Sequence, residues 1–267
     1  MPVSLAMYDL PELAEATDAW WAGLRRHLAQ AGFQDLPALL SRPMNHMAHW
    51  LEEEQIFTQT CGYPLTHGLK GKMRLVATPR YDAPGCAGAT YVSWVVVRRG
   101  DPARSVADLR GRHVAFNARD SQSGYNALRA LVAPLARNGR FFAAGFETGA
   151  HRASLAAVKA GEADVAAVDC VSFALIRRAA RAEMEGLRVL CATAAAPGLP
   201  YVTSTTTSDA DLGRLRAGLT AACADPGLAE TRSRLLLDGF DVLPDKAYDV
   251  IPAMEQTAIA SGYPELA

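Results

Sequence analysis

The residues best equipped for chemistry gather in one stretch, Asn117-Ala118-Arg119-Asp120-Ser121-Gln122-Ser123-Gly124-Tyr125. Before it, His113 to Phe116 has strand composition. After it, Gly124 to Arg137 places Tyr125, Leu128, Leu131, Val132 and Leu135 on one helical face. A helix start presents unpaired N–H groups and the positive end of the peptide dipole. The hydroxyls of Ser121 and Ser123 and the amide of Gln122 add donors there, so the ligand such a place suits is an oxyanion. The same serines are good N-cap residues, and on sequence alone both readings stand. The stretch lacks the glycine-rich loop and lysine of a nucleotide P-loop.

Two further groups follow in the same half of the chain. Gly149-Ala150-His151 puts an imidazole at the start of another helix, where it can donate to an anion or sit at a surface cap. Asp169 ends the apolar strand Asp164 to Val168, where its carboxylate can accept from a ligand or cap the next helix near Val171. In the other half, Tyr8 and Cys61-Gly62-Tyr63 occupy the corresponding loop positions. A Cys61 thiolate with His67 or His151 as base gives an enzymatic alternative. The 5 cysteines (61, 86, 170, 191 and 223) have no zinc-like spacing, and no metal or cofactor is expected. Cys61 and Cys86 lie beside glycines in loops, and a disulfide between them would mark an oxidising compartment. The rest read as buried small hydrophobes.

Elements that could position these groups alternate along the chain. Val3 to Tyr8 reads as a strand. Asp9 then caps a helix with Pro11 in its first turn and Leu13, Ala16, Trp20, Leu24 and Leu28 at helical spacing up to Gly32. Strands are expected over 38–41, 74–79, 91–98, 113–116, 141–146, 164–168, 187–192 and 201–206, with a short apolar piece at 55–58. Helices are expected over 45–54, 124–137, 151–160, 209–224, 228–238 and 248–261. The alternation predicts α/β architecture with two mostly parallel sheets, helices covering both faces. The pattern restarts near 97 and near 195. The simplest topology therefore places 1–95 and 198–267 in one lobe and 96–197 in the other, with two crossings.

Composition removes several classes of function. With 27 Lys+Arg against 28 Asp+Glu the formal charge is −1, and no basic block offers a phosphate-backbone footprint, so nucleic acid is not an expected partner. Apolar runs such as Tyr91 to Val97 fall far short of the ~20 residues of a membrane span. The first residues lack a positive start, apolar middle and cleavage site, which keeps a cytoplasmic location open.

Taken in order, Asp108-Leu109-Arg110-Gly111-Arg112-His113-Val114-Ala115-Phe116, Ser121-Gln122-Ser123-Gly124-Tyr125, Gly149-Ala150-His151 to Leu155, and Gly161-Glu162-Ala163-Asp164-Val165-Ala166-Ala167-Val168-Asp169 resemble the phosphate/phosphite/phosphonate-binding subunits of ABC importers. The resemblance covers nearly the whole chain. It implies a type II periplasmic-binding-protein fold, two α/β lobes joined by a two-strand hinge and closing on a small oxyanion for delivery to an importer permease. It assigns the phosphoryl oxygens to Ser121, Gln122 and Ser123, with His151, Asp169 and Tyr8 as further ligand contacts. Gln122 stands where the family often has a hydroxyl residue. Relatives of this fold also serve as cytoplasmic sensors, the alternative reading, and less often as enzymes.

Overall fold

The computed structural model describes residues 2–51 and 56–266. It divides into two compact units. Unit 1 comprises Met1–Asp82, Ala87–Ala89 and Pro197–Ala247; unit 2 comprises Ala83–Cys86, Thr90–Ala196 and Tyr248–Ala267.

Unit 1 holds a five-stranded sheet in the order Val3–Ser4, Phe57–Gln59, Tyr201–Ser204, Met73–Tyr81, Leu237–Asp241. The first two strands are parallel, and Tyr201–Ser204 runs against both of its neighbours. Leu237–Asp241 is antiparallel to Met73–Tyr81. The helix Ala14–Gln30 buries Ala16, Trp20, Leu24 and Leu28, the spacing expected from sequence. Asp9 does not cap it. A short 3-10 turn, Pro11–Leu13, precedes the helix, and the Asp9 carboxylate instead takes the Arg42 guanidinium at 2.6 Å.

Unit 2 holds the sheet ordered Leu187–Ala192, Ser93–Arg98, Val165–Asp169, His113–Phe116, Ala144–Glu147. Ser93–Arg98 is antiparallel to both neighbours, while His113–Phe116 is parallel to both of its own. Four strands therefore point one way and one the other. In unit 1 two strands, Tyr201–Ser204 and Leu237–Asp241, run against the other three. Five of the eight pairings in the two sheets are antiparallel, so the sheets are mixed rather than mostly parallel. Central placement explains the run Val95-Val96-Val97, all three fully buried.

The last twenty residues depart from the expected lobe boundary. The simplest topology groups them with 1–95, because the first and last segments flank the middle of the chain. In the structure Ala258, Tyr263 and Leu266 join the core of unit 2 with Leu128, Val132 and Phe116. The chain thus passes between the units once more at 247/248, beyond the passages at 82/83, 86/87, 89/90 and 196/197.

Several local expectations also shift. No strand forms over 38–41, although the Ser41 amide donates to the Val3 carbonyl at 2.7 Å. The helix expected over 45–54 is seen as His46–Trp50, and 52–55 lie outside the described residues. The strand expected over 141–146 is Ala144–Glu147, because Phe141 and Phe142 turn into the core edge to face. The helix expected over 228–238 stops at Arg234. Leu236 takes a left-handed φ of 56°, and the chain turns into a strand whose Phe240 packs on Trp20 and Tyr201.

Candidate functional site

In unit 2 the strand His113–Phe116 delivers the chain to Asn117, and the helix that follows begins at Gln122. Its first turn, Gln122–Asn126, is π-helical, with the Asn126 amide donating to the Ser121 carbonyl at 3.0 Å. Such widened turns are uncommon and concentrate at functional sites. Ser121 is the N-cap. Its Oγ accepts from the Gly124 amide at 3.1 Å and lies 3.3 Å from Ser123 Oγ. Ser123 Oγ in turn meets His151 Nε2 at 2.9 Å. The cap reading and the ligand reading of Ser121 therefore coexist, since an oxygen that accepts the cap bond keeps its own O–H to donate.

His151 is the first residue of the helix His151–Ala160, which Gly161 ends with a φ of 85°. The loop before it is fastened to the end of His113–Phe116. Thr148 and Gly149 amides donate to the Phe116 and Asn117 carbonyls, both at 2.9 Å. The imidazole is thus brought to the serines by backbone bonds. Burial pushes its pKa down from 6.5 to about 4, so the ring is neutral at neutral pH. Two buried atoms of this cluster, His151 Nδ1 and Asn117 Oδ1, have no hydrogen-bond partner among the described residues. Such atoms are costly to leave unmet and are met by water or ligand in most proteins. Asn117 opens the serine-bearing stretch, yet it carries no sequence signal of a site residue. Nothing in its sequence context distinguishes it from an ordinary loop asparagine.

The other expected contacts are placed differently. The Gln122 amide is turned into the core, where its Oε1 accepts from Asn126 at 2.7 Å and its Nε2 donates to Met254 Sδ at 3.2 Å. Asn126 continues this network to the Ile251 carbonyl and to Arg129, which also pairs with Glu255 at 2.9 Å. The polar side chain at 122 thus ties the helix start to the tail. Asp169 is an N-cap: Oδ1 accepts from the Val171 and Ser172 amides at 2.7 and 2.9 Å. The capping alternative foreseen for it describes its contacts.

In unit 1, Tyr8 is buried and meets Tyr81 edge to face, with ring centroids 5.0 Å apart. Both line a small cavity of about 30 Å³ with Trp20, Gln59 and Tyr201. Gln59 Nε2 reaches Tyr81 Oη at 3.3 Å and the Leu199 carbonyl at 3.1 Å. Cys61 precedes the short helix Gly62–Thr66, and Tyr63 stacks on His67 at 3.9 Å. His67 Nδ1 bonds the Tyr63 carbonyl and the Thr66 hydroxyl within its own turn. His151, the other base considered for Cys61, belongs to unit 2 and is engaged with Ser123. A larger groove of about 400 Å³ in unit 1 contains Arg74 and Arg216. Their guanidinium groups are spent on Asp209 and on backbone carbonyls, which leaves the groove a poor anion site.

No group of three or more His, Cys, Asp or Glu among the described residues could hold a metal ion. No helix among them is long and apolar enough to cross a membrane.

No curated protein sequence matches the chain. Solved structures do. PhnD1 from Prochlorococcus marinus in complex with methylphosphonate aligns with a TM-score of 0.76 at 12% identity, covering 96% of this chain and 97% of that one. A binding component of an ABC phosphonate transporter from Pseudomonas aeruginosa gives 0.74 at 16% identity, over 97% and 87%. A histidine kinase sensor domain with similarity to periplasmic binding proteins gives 0.55 at 19%, over 82% and 87%. At these identities the structures speak for the fold, a two-lobed type II binding-protein fold. The sequence profile described as "ABC transporter, phosphonate, periplasmic substrate-binding protein" matches residues 18–248. The family is one of transport receptors rather than enzymes, and the chain belongs to it: it is a solute-binding protein of the periplasmic phosphonate-binding family of ABC transporters.

Proposed function

We propose that this protein captures a small phosphorus oxyanion, a phosphonate first and phosphite or phosphate next, and presents it to an ABC importer permease without chemical change. The observation that carries the reading is the chain Ser121–Ser123–His151 at the first turn of a helix, beside two buried polar atoms that lack partners among the described residues. Hydroxyls and helix amides supply neutral donors, which hold an oxyanion without a counter-charge. The neutral imidazole serves as a further hydrogen-bonding group rather than as a cation. Asn117 joins Ser121, Ser123 and His151 in the proposed site, while Gln122 shapes it through its side-chain bonds to Asn126 and Met254 and Asp169 through its cap bonds. Tyr8 is proposed as a unit 1 contact on the strength of the family resemblance, and Cys61 and Tyr63 on that of their loop position in the sequence. The family's setting makes the periplasm the proposed location.

Calorimetric titration with methylphosphonate, 2-aminoethylphosphonate, phosphite, phosphate and sulfate tests this. One phosphorus oxyanion should bind, and Ser123→Ala and His151→Gln should each weaken it at least about tenfold, or ~1.4 kcal/mol. Recovery of the unaltered ligand after prolonged incubation is expected. Binding that survives both substitutions unchanged, or turnover of the ligand, would overturn the proposal.

A further inference from the structure

The structure brings together two cysteines that sequence spacing did not pair. Cys86 Sγ lies 3.6 Å from Cys170 Sγ, within unit 2. We propose that Cys86 and Cys170 are a redox modification site that closes to a reversible intramolecular disulfide, with Cys86 meeting the oxidant and Cys170 completing the bond. The sulfurs are in van der Waals contact, and a bond needs them to approach to about 2.05 Å. The backbone around them is already fixed. The Cys170 amide donates to the Val92 carbonyl at 3.1 Å, and the Val92 amide to the Gly85 carbonyl at 3.2 Å. Gly85 takes a φ of +98°, and a Cβ there would stand only 3.0 Å from Cys170 Cβ and 2.7 Å from the Trp94 ring. This close packing holds the 83–86 turn against the start of the helix Cys170–Ala179, which keeps the two thiols adjacent.

Exposure assigns the order of events. Cys170 is fully buried, whereas Cys86 is half-buried and can be reached. With a small disulfide such as oxidised glutathione, the Cys86 thiolate attacks one glutathione sulfur. The oxidant's S–S bond breaks, a mixed disulfide forms and one glutathione thiolate leaves. The Cys170 thiolate then attacks Cys86 Sγ, and the second glutathione departs. Two electrons pass to the oxidant, and the two thiol protons are taken up by the departing thiolates. The Cys86 contact, burial and the nearby Asp169 charge all hold the Cys170 thiol protonated. The first of these is removed once Cys86 is captured. The new bond would staple the point where the chain leaves unit 2, after Cys86, to the helix that Asp169 caps.

The test uses the full chain, incubated with oxidised glutathione, alkylated and mapped by mass spectrometry without reduction. The expected product has lost two hydrogens and yields one cross-linked peptide pair carrying Cys86 and Cys170. Cys61, Cys191 and Cys223 remain alkylated, and dithiothreitol restores the starting mass. Cys86→Ser should abolish the product while keeping the melting temperature. Cys170→Ala should leave a glutathione adduct on Cys86. A stable adduct on Cys86 of the unaltered protein, a cross-link through another cysteine, or all 5 thiols still alkylatable after long oxidation would overturn the proposal.

Discussion

A buried imidazole makes its presence felt in the pH dependence of stability. His151 titrates at about 4 in the fold against 6.5 when unperturbed, because burial penalises its charged form. Between those values the unfolded chain binds the proton and the folded chain does not. Stability is therefore fully present above about 6.5 and is lost as the pH falls toward 4. At 1.36 kcal/mol per pH unit the loss is about 3 kcal/mol. Urea unfolding at pH 7.5, 6.5, 5 and 4 should show this extra decline in the unaltered protein and not in His151→Gln. Parallel curves for the two would mean that the ring is not held neutral. The same residue marks how far side-chain chemistry was legible in sequence. Ser121, Ser123 and His151 were singled out by their positions at helix starts, and the structure brings them within hydrogen-bond distance of one another in a row. Gln122 and Asp169 stood in equally promising places, yet one faces Asn126 and Met254 and the other caps a helix. Sequence position specifies which end of a strand a polar side chain occupies; which neighbour wins its hydrogen bonds depends on packing that only the assembled unit supplies.

At the scale of elements, the helix start works because a glycine lets three segments meet. A Cβ on Gly124 would stand 1.9 Å from Asn117 Oδ1 and 3.3 Å from His151 Cε1. Gly124→Ala must swing the Asn117 amide aside and crowd the imidazole. An alanine is otherwise the better helix residue by up to about 1 kcal/mol, which offsets part of the strain. Ligand affinity should therefore fall about tenfold or more while the melting temperature moves by only a few degrees, measured by titration calorimetry and thermal unfolding of the same samples. Unchanged affinity would remove this turn from the site. Elements with strong punctuation were readable to the residue: His151–Ala160 closes on Gly161, and Asp209–Ala224 opens on the Ser208 cap. Those that were missed lack such marks. Leu235 to Val242 is apolar enough for helix or strand, and the choice is made by a left-handed Leu236 and by Met73–Tyr81 offering an open edge. Residues 38–41 have strand-like composition, but no strand forms there: the Ser41 amide donates to the Val3 carbonyl of the edge strand without starting a ladder among the described residues.

At the scale of the whole molecule, the destination of the tail is what a reading along the chain could not see. A helix that follows unit 1 strands is expected to pack there, but nothing local specifies which core receives it. Tyr263, fully buried, and Leu266 enter the core of unit 2, and the Leu266 amide donates to Tyr125 Oη at 3.1 Å. Arg129, only 4% exposed, is met by Glu255 and by the Pro264 carbonyl, so the tail also neutralises a buried charge. Breaking such a pair from one side typically costs about 3–5 kcal/mol, and truncating a large buried aromatic costs a similar amount. Tyr263→Ala and Glu255→Gln should each destabilise unit 2 on that scale. Amide hydrogen exchange locates the effect: protection should fall in His113–Phe116 and Val165–Asp169, while Met73–Tyr81 and Tyr201–Ser204 retain theirs. Loss confined to the unit 1 strands would instead return the tail to the lobe that sequence order suggests. Because the Glu255–Arg129–Asn126–Gln122 chain ends at the first turn of the serine-bearing helix, Glu255→Gln should also weaken oxyanion binding, although residue 255 lies far from Ser121 in sequence. A Glu255→Gln protein that loses stability yet binds with unaltered affinity would show that the tail supports the core of unit 2 without positioning the site.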